Sequence, residues 1–198
     1  MICITVSVHY DNILDIILPQ NYKFFDKWYI VTDINDYKTI QVINKYAYSN
    51  VEIVYFDFKK NSTFNKGGGI NYALDKINKG ETVLLLDSDI FIDDFFMKYL
   101  NYDFKNDTLY SFKRYDYYSY HNFKNDVHDN VYCIDFMGFF QLFKKNNYTY
   151  NNSQDCRDCD HHFAALFENK ILLEGIVKHL GRDNLNHFGR NNTNDFII

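Results

Sequence analysis

Short apolar runs recur along the first half of the chain at Ile2 to Val8, Trp28 to Thr32, Val51 to Phe56 and Val83 to Leu86. Each has the length and the β-branched or aromatic content of a buried strand. Between them, Ile13 to Phe25, Tyr37 to Tyr48 and Gly69 to Ile77 repeat apolar residues at helical spacing. Strands alternating with helices predict an α/β fold, a mostly parallel central sheet flanked by helices. Ligands of such sheets sit at the carboxyl ends of the strands, and Asp11, Thr32-Asp33, Asp57 and Asp87-Ser88-Asp89 all fall just past those ends. From about Asn101 the chain is aromatic, Asn-rich and less periodic, with short strands expected over Thr108 to Phe112 and Phe139 to Phe143 and a helix over Asp160 to Phe167.

Composition narrows the partners. The 198 residues are 46% hydrophobic and 24% charged, enough for one substantial core, and no repeat or Pro-rich linker divides them, so a single domain over residues 1–198 is expected. The net charge of −5 and the lack of a dense Lys/Arg cluster argue against nucleic acid. The Ile2 to Val8 run lacks a basic flank and a cleavage site, which argues against a signal peptide, and no stretch is long enough to span a bilayer; a soluble, cytoplasmic protein is the expectation. Cys156 and Cys159 form a Cys-x-x-Cys with no second pair, which speaks against structural zinc.

The chemistry concentrates in a few segments. Asp87 and Asp89 end the most apolar strand, two residues apart and so on one face. Their mutual repulsion is relieved by a hard divalent cation that keeps open positions for phosphate, although a strand end running into a polar turn would look the same. Asn65-Lys66-Gly67-Gly68-Gly69 opens a helix; the glycines permit close approach by a ligand, free N–H groups favour an anion and Lys66 adds charge, with a tight turn as the plainer reading. Gly138 among large apolar residues, beside Gln141, marks close approach by backbone or ligand. Asp158 and Asp160 precede a helix that either could cap. His179 ends an apolar run, where a buried, hydrogen-bonded histidine is the plainer reading. Tyr110 to Tyr120 is aromatic enough to stack on sugar rings, but in a chain with 19% aromatics hairpin packing explains it as well.

In this order the motifs resemble the GT-A fold of nucleotide-sugar-dependent glycosyltransferases over nearly the whole chain, and most of all the compact glycosyltransferases of large DNA viruses. Asp87-Ser88-Asp89 is similar to the family's DxD motif, Asn65-Lys66-Gly67 through Asn71 to its nucleotide-contacting segment, Gly138 to Gln141 to a segment lining the sugar pocket, and His179-Leu180-Gly181 to the ending whose histidine completes the metal site. The resemblance implies a nucleotide-binding half over residues 1–100, an acceptor and catalytic half over 101–198, and Mn2+ or Mg2+ held by Asp89 and His179, with Asp87 on the ribose or a metal-bound water. It further implies Lys66 and Arg190 at the phosphates, Thr5, Thr32 and Asp33 at base and ribose, and a catalytic carboxylate aligned with Asp160. Cys159 replaces the usual acidic neighbour, which leaves Asp158 open. The expected activity is inverting transfer of a hexosyl group from a nucleotide-diphosphate sugar, UDP-linked by preference, to a glycan or other hydroxyl acceptor. A nucleotidyltransferase is the alternative, although Ser7 to Asp11 lacks its Gly-rich basic signature; a non-catalytic nucleotide-sugar-binding module of the same fold is the other.

Overall fold

The computed structural model describes residues 1–58, 64–129, 136, 138–152 and 159–181. Strands β1 (Ile2–Val6), β2 (Lys27–Thr32), β3 (Val51–Tyr55) and β4 (Thr82–Leu86) form the parallel part of an eight-stranded sheet. β5 (Ile90–Phe91), β6 (Thr108–Tyr117), β7 (Phe140–Lys144) and β8 (Asn169–Leu180) complete it in the order β3-β2-β1-β4-β7-β6-β8-β5. β7 enters antiparallel to β4, and β6 and β8 run parallel to each other. β4 and β5 are neighbours in the chain yet lie four strands apart in the sheet. Four flat spacings would separate them by ~19 Å, whereas the chain from Leu86 to Ile90 reaches at most ~14 Å. The sheet therefore curls, and Asp87-Ser88-Asp89 is the bridge across the curl.

Alternation along the strands sorts the core into two layers. Cys3, Trp28, Ile30, Leu84 and Leu86 pack against Ile13, Leu14, Ile17 and Leu18 of helix α1 (Asp11–Asn21) and Ile43 of α2 (Tyr37–Tyr46). Ile4, Tyr29, Val31, Val83 and Leu85 pack against Ile70, Ala73 and Leu74 of α3 (Lys66–Leu74) and against Phe163 and Ala164 of α5 (Cys159–Ala165). The short helix α4 (Tyr120–Lys124) follows β6. Much of the aromatic content is core: Phe96 sits edge-on to Phe24, Phe112 and Phe140, with ring centroids 5.6, 6.0 and 5.9 Å away. Tyr110, Phe112 and Tyr117 are buried, so most of the tyrosine-rich stretch is strand packing and not an open stacking surface.

Some elements depart from the sequence pattern. Helix α1 contains Pro19, whose ring nitrogen cannot donate to Asp15 O; the Tyr46 hydroxyl donates to that carbonyl instead, at 3.0 Å. The helix expected to reach Phe25 yields to a 3-10 turn over Tyr22–Phe24. β6 runs on to Tyr117, five residues beyond its expected end at Phe112. β8, which no periodicity announced, is the longest strand: its first half is largely exposed, and its register against β6 shifts between Ser111 and Lys113. Gly175 lies in that irregularity at φ +145, where a Cβ would stand 2.3 Å from the Phe95 ring.

Candidate functional site

The bridge across the curl is fixed through its backbone. Asp87 N donates to Phe139 O at 3.1 Å, Leu180 N to Asp89 O at 2.7 Å and Ile90 N to Asp87 O at 3.3 Å. Register then brings the side chains together, since His179 of β8 lies between Asp116 of β6 and Ile90 of β5. His179 Nδ1 is 2.7 Å from Asp116 Oδ1 and its Nε2 is 3.3 Å from Asp89 Oδ2; Arg114 Nε is 3.1 Å from Asp116 Oδ1. All four residues are buried. Burial works against a charge on His179, but Asp89 and Asp116 outweigh it and lift the imidazole to about 9. Burial would likewise raise Asp89, yet His179 holds it below the ordinary carboxylate value. Asp89 Oδ1 is buried with no hydrogen-bond partner among the described residues.

A second cluster lies on the other side of Asp87. Lys66, the first residue of α3, places Nζ 2.9 Å from Asp87 Oδ1 and 3.1 Å from Asp160 Oδ2. Burial disfavours the ammonium, but Asp160 and Asp87 hold it well above its ordinary value and so protonated. Asp87 is pushed up to about 6, chiefly by burial and, against the pull of Lys66, by the neighbouring Asp89 and Asp160. Asp160 lies in the first turn of α5, while Cys159 turns into the apolar layer with Phe163. Gln141 Nε2 donates to Asp160 O at 3.2 Å and to Phe136 O at 2.8 Å, and the Tyr150 hydroxyl donates to Gln141 Oε1. Asn71 pairs with the Tyr150 backbone at both ends, Nδ2 to Tyr150 O at 2.9 Å and Tyr150 N to Oδ1 at 2.8 Å.

The expected site residues therefore divide. Asp87, Asp89, His179, Lys66 and Asp160 come together, with Ser88 buried on the bridge between the two aspartates. Asn71 and Gln141 do not offer their amides to an open pocket as expected, because these are spent on Tyr150, Phe136 and the Asp160 backbone. Thr5 faces the core, where Oγ1 accepts the Trp28 indole N–H at 2.9 Å, so it is withdrawn from the rim. Asn65 caps α3 by accepting from Gly68 N at 2.8 Å and donates to Asn152 Oδ1. The space over the glycines, expected to admit a ligand, is filled by the chain itself: a Cβ on Gly67 would stand 2.3 Å from Asn151 O, and one on Gly69 2.8 Å from the Phe58 ring. Asp33 stays at the rim with Oδ1 accepting from Asn35 N at 2.9 Å. Thr32 Oγ1 and Ser7 Oγ, at the ends of β2 and β1, are buried with no partner among the described residues. Asp158 and Arg190 lie outside the described residues.

Sequence reasoning missed Asp116 and Asp36. Asp116 was detectable as half of Arg114-x-Asp116, two charges on one face of an aromatic strand. Asp36 is buried; it accepts from His9 N at 2.7 Å and from the Thr39 hydroxyl at 2.7 Å, tying the loop after β1 to α2.

Among the described residues no three His, Cys, Asp or Glu side chains converge into a metal cluster. A divalent cation nevertheless fits the pair Asp89 and His179. The unpartnered Asp89 Oδ1 is a buried oxygen ligand in waiting. With Nδ1 turned to the Asp116 carboxylate, His179 points its other nitrogen at Asp89, the outer-shell arrangement that orients a metal-binding imidazole. Two protein ligands suffice where substrate phosphates and water supply the rest.

Neither a protein-family model nor a curated protein sequence matches the chain. Its fold does match solved structures. The galactosyltransferase LgtC, solved with donor and acceptor sugar analogs, superposes with TM-score 0.51 at 11% identity over 87% of this chain and 73% of its own. The glycosyltransferase GlyE of Streptococcus pneumoniae TIGR4 gives 0.50 at 14% over 87% of this chain, which spans 45% of that protein. A 4-diphosphocytidyl-2C-methyl-D-erythritol synthase from Anaerococcus prevotii gives 0.50 at 14% over 90% and 89%. The fold is thus GT-A-like, an architecture shared by glycosyltransferases and a nucleotidyltransferase.

Proposed function

We propose that the protein is a metal-dependent glycosyltransferase that moves a hexosyl group from a nucleotide-diphosphate sugar, UDP-linked by preference, to a hydroxyl of a glycan or similar acceptor with inversion. The observation that carries this reading is the bridge Asp87-Ser88-Asp89, which joins a buried His–Asp pair on one side to a Lys–carboxylate cluster on the other. Asp89 and His179 would hold Mn2+ or Mg2+, the imidazole favouring Mn2+. When bound, the cation supplies Lewis-acid neutralisation of the charge growing on the leaving diphosphate. Lys66 stands between Asp87 and Asp160 and adds a second positive charge on that side. Asp160 is the base: it takes the acceptor hydroxyl proton as the acceptor oxygen bonds to the sugar's anomeric carbon and the carbon–oxygen bond to the diphosphate breaks, a role worth about 10²–10⁴-fold. Asp87 would contact the ribose or a metal-bound water, and Thr32 and Asp33 lie at the strand ends where base and ribose would bind. Arg190 at the phosphates and Asp158 as an alternative base belong to the same reading. The finer likeness to the compact enzymes of large DNA viruses, and with it a place in a host cytoplasm, rests on motif order alone.

Nucleotidyl transfer is the second reading, favoured by the match to the erythritol synthase. Against it, the loop after β1 carries no glycine, lysine or arginine, and its His9 N–H is already taken by the Asp36 carboxylate, which puts negative charge where a triphosphate would need cations. Two assays with Mn2+ separate the readings by product: UDP release and a glycosylated acceptor from a panel of UDP-sugars for one, pyrophosphate from a sugar phosphate and a nucleoside triphosphate for the other. Asp160→Asn should cut transfer by two to four orders of magnitude with donor affinity little changed. Normal turnover by that variant removes Asp160 as the base, and retention of the donor's anomeric configuration removes the inverting mechanism.

A further inference from the structure

Gly138 lies where a side chain would run into the proposed base. A Cβ built on it would lie 2.0 Å from Asp160 Cγ and 2.1 and 2.4 Å from the two carboxylate oxygens. Its backbone does not call for glycine: the described glycines with positive φ are Gly80 and Gly175, and Gly138 is not among them. The left-handed region that favours glycine is not occupied here, and the three nearest obstacles to a side chain are all atoms of the Asp160 carboxyl group. We propose that Gly138 is a positioning residue whose bare Cα seats the Asp160 carboxylate against Lys66; the proposal rests on the reading of Asp160 as base. This differs from the sugar-pocket lining that the motif order implied.

The seat has three sides. Lys66 Nζ holds Oδ2 at 3.1 Å, Gln141 Nε2 holds the Asp160 main-chain carbonyl at 3.2 Å, and the missing side chain of Gly138 leaves room for the carboxylate between them. Gln141 is itself fixed, through its second bond to Phe136 O and the Tyr150 hydroxyl on Oε1. The carbonyl end of Asp160 is thus anchored while its carboxylate can turn about two side-chain bonds. An alanine methyl at 138 cannot coexist with the present rotamer, so the carboxylate must swing off Lys66. Since the obstacle is the end of a side chain and not backbone, the swing costs little stability but displaces the carboxylate by an ångström or more, which at a reacting centre is worth about a hundredfold in rate.

The test is Gly138→Ala, alone and in an Asp160→Ala chain, assayed for transfer from the UDP-sugar that the wild type uses. Alone it should lower kcat about a hundredfold with the donor KM unchanged. In the Asp160→Ala background it should cost nothing more, because the group it displaces is gone. A wild-type kcat in the single variant, or losses that multiply in the double, overturns the proposal, the latter by showing that Gly138 acts on the sugar directly. Should Gly138→Ala fold poorly, adding Asp160→Ala should restore its thermal midpoint, and failure to do so counts against the clash. A crystal structure of Gly138→Ala gives a readout without activity: the Asp160 carboxylate should have left Lys66 Nζ. A carboxylate that has not moved overturns the proposal, whereas a moved one, where the wild type itself transfers no sugar, upholds the seat and removes the base.

Discussion

At the scale of single residues, the buried His179 sets the pH behaviour of the proposed metal site. Its ordinary value of 6.5 is lifted to about 9 by Asp89 and Asp116 against the effect of burial, so in the metal-free protein it is protonated at neutral pH. A cation binding at Nε2 must displace that proton. Mn2+ affinity should therefore rise with pH from 7 and level off near 9, and calorimetry in buffers of different ionisation enthalpy should show about one proton released near neutrality. Asp116→Asn removes one of the two carboxylates that raise His179 and loosens the ring's orientation. It should weaken Mn2+ binding about 10- to 100-fold and move the plateau to lower pH. A Mn2+ affinity flat between pH 6 and 9 would take His179 out of the ligand set. The grouping was partly legible: Asp87, Asp89, Lys66, Asp160 and His179 announce themselves as polar residues at or near the ends of apolar runs. Asn71, Gln141 and Thr5 instead bond to neighbouring parts of the chain, because a polar side chain near a strand or helix end is equally suited to that, and no sequence signal says which it does.

Elements obey local rules until packing overrides them. Gly→Ala within a helix normally stabilises by ~1 kcal/mol. In α3 the sign should reverse at Gly67, whose added methyl would meet the Asn151 carbonyl at 2.3 Å, a backbone atom that cannot step aside cheaply. Gly68→Ala meets only the ends of the Asn65 and Asn152 side chains, so urea unfolding should find Gly67→Ala the more destabilised. Helix α1 offers a second case. Tyr46→Phe strands the Asp15 carbonyl that Pro19 leaves without its helical partner, at a cost of ~1 kcal/mol. In a Pro19→Ala chain, where residue 19 again carries an N–H, that cost should largely vanish. Equal losses in both backgrounds would show that the hydroxyl and the proline are independent. The same competition explains the boundaries: β6 and β8 run long because they pair with each other, although polar residues and an internal glycine hide β8 from any two-residue periodicity.

For the whole molecule, the curl of the sheet decides where the chemistry sits, and hydrogen bonds of the chain itself hold its two ends together. Leu180 N on Asp89 O at 2.7 Å, Gly181 N on Tyr117 O at 3.1 Å and the His179–Asp89 pair join the bridge to the far strands. Chelation with EDTA should therefore leave the thermal midpoint unchanged, while Mn2+ with UDP should raise it by mass action, ~2.7 kcal/mol at a hundredfold excess over Kd. Unfolding on chelation would assign the cation a structural role instead. The sequence by itself determined the α/β rhythm, the parallel first half and the carboxylates at the rim, because strand and helix periods and the sharp break from Leu86 to Asp87 are local properties of the chain. Only the tertiary structure decided that β5 returns beside β8, that His179 meets Asp116 and Asp89, and that Gly138 yields its space to Asp160. These are contacts between residues 22 to 90 positions apart, set by strand order and register, on which local pattern has no hold.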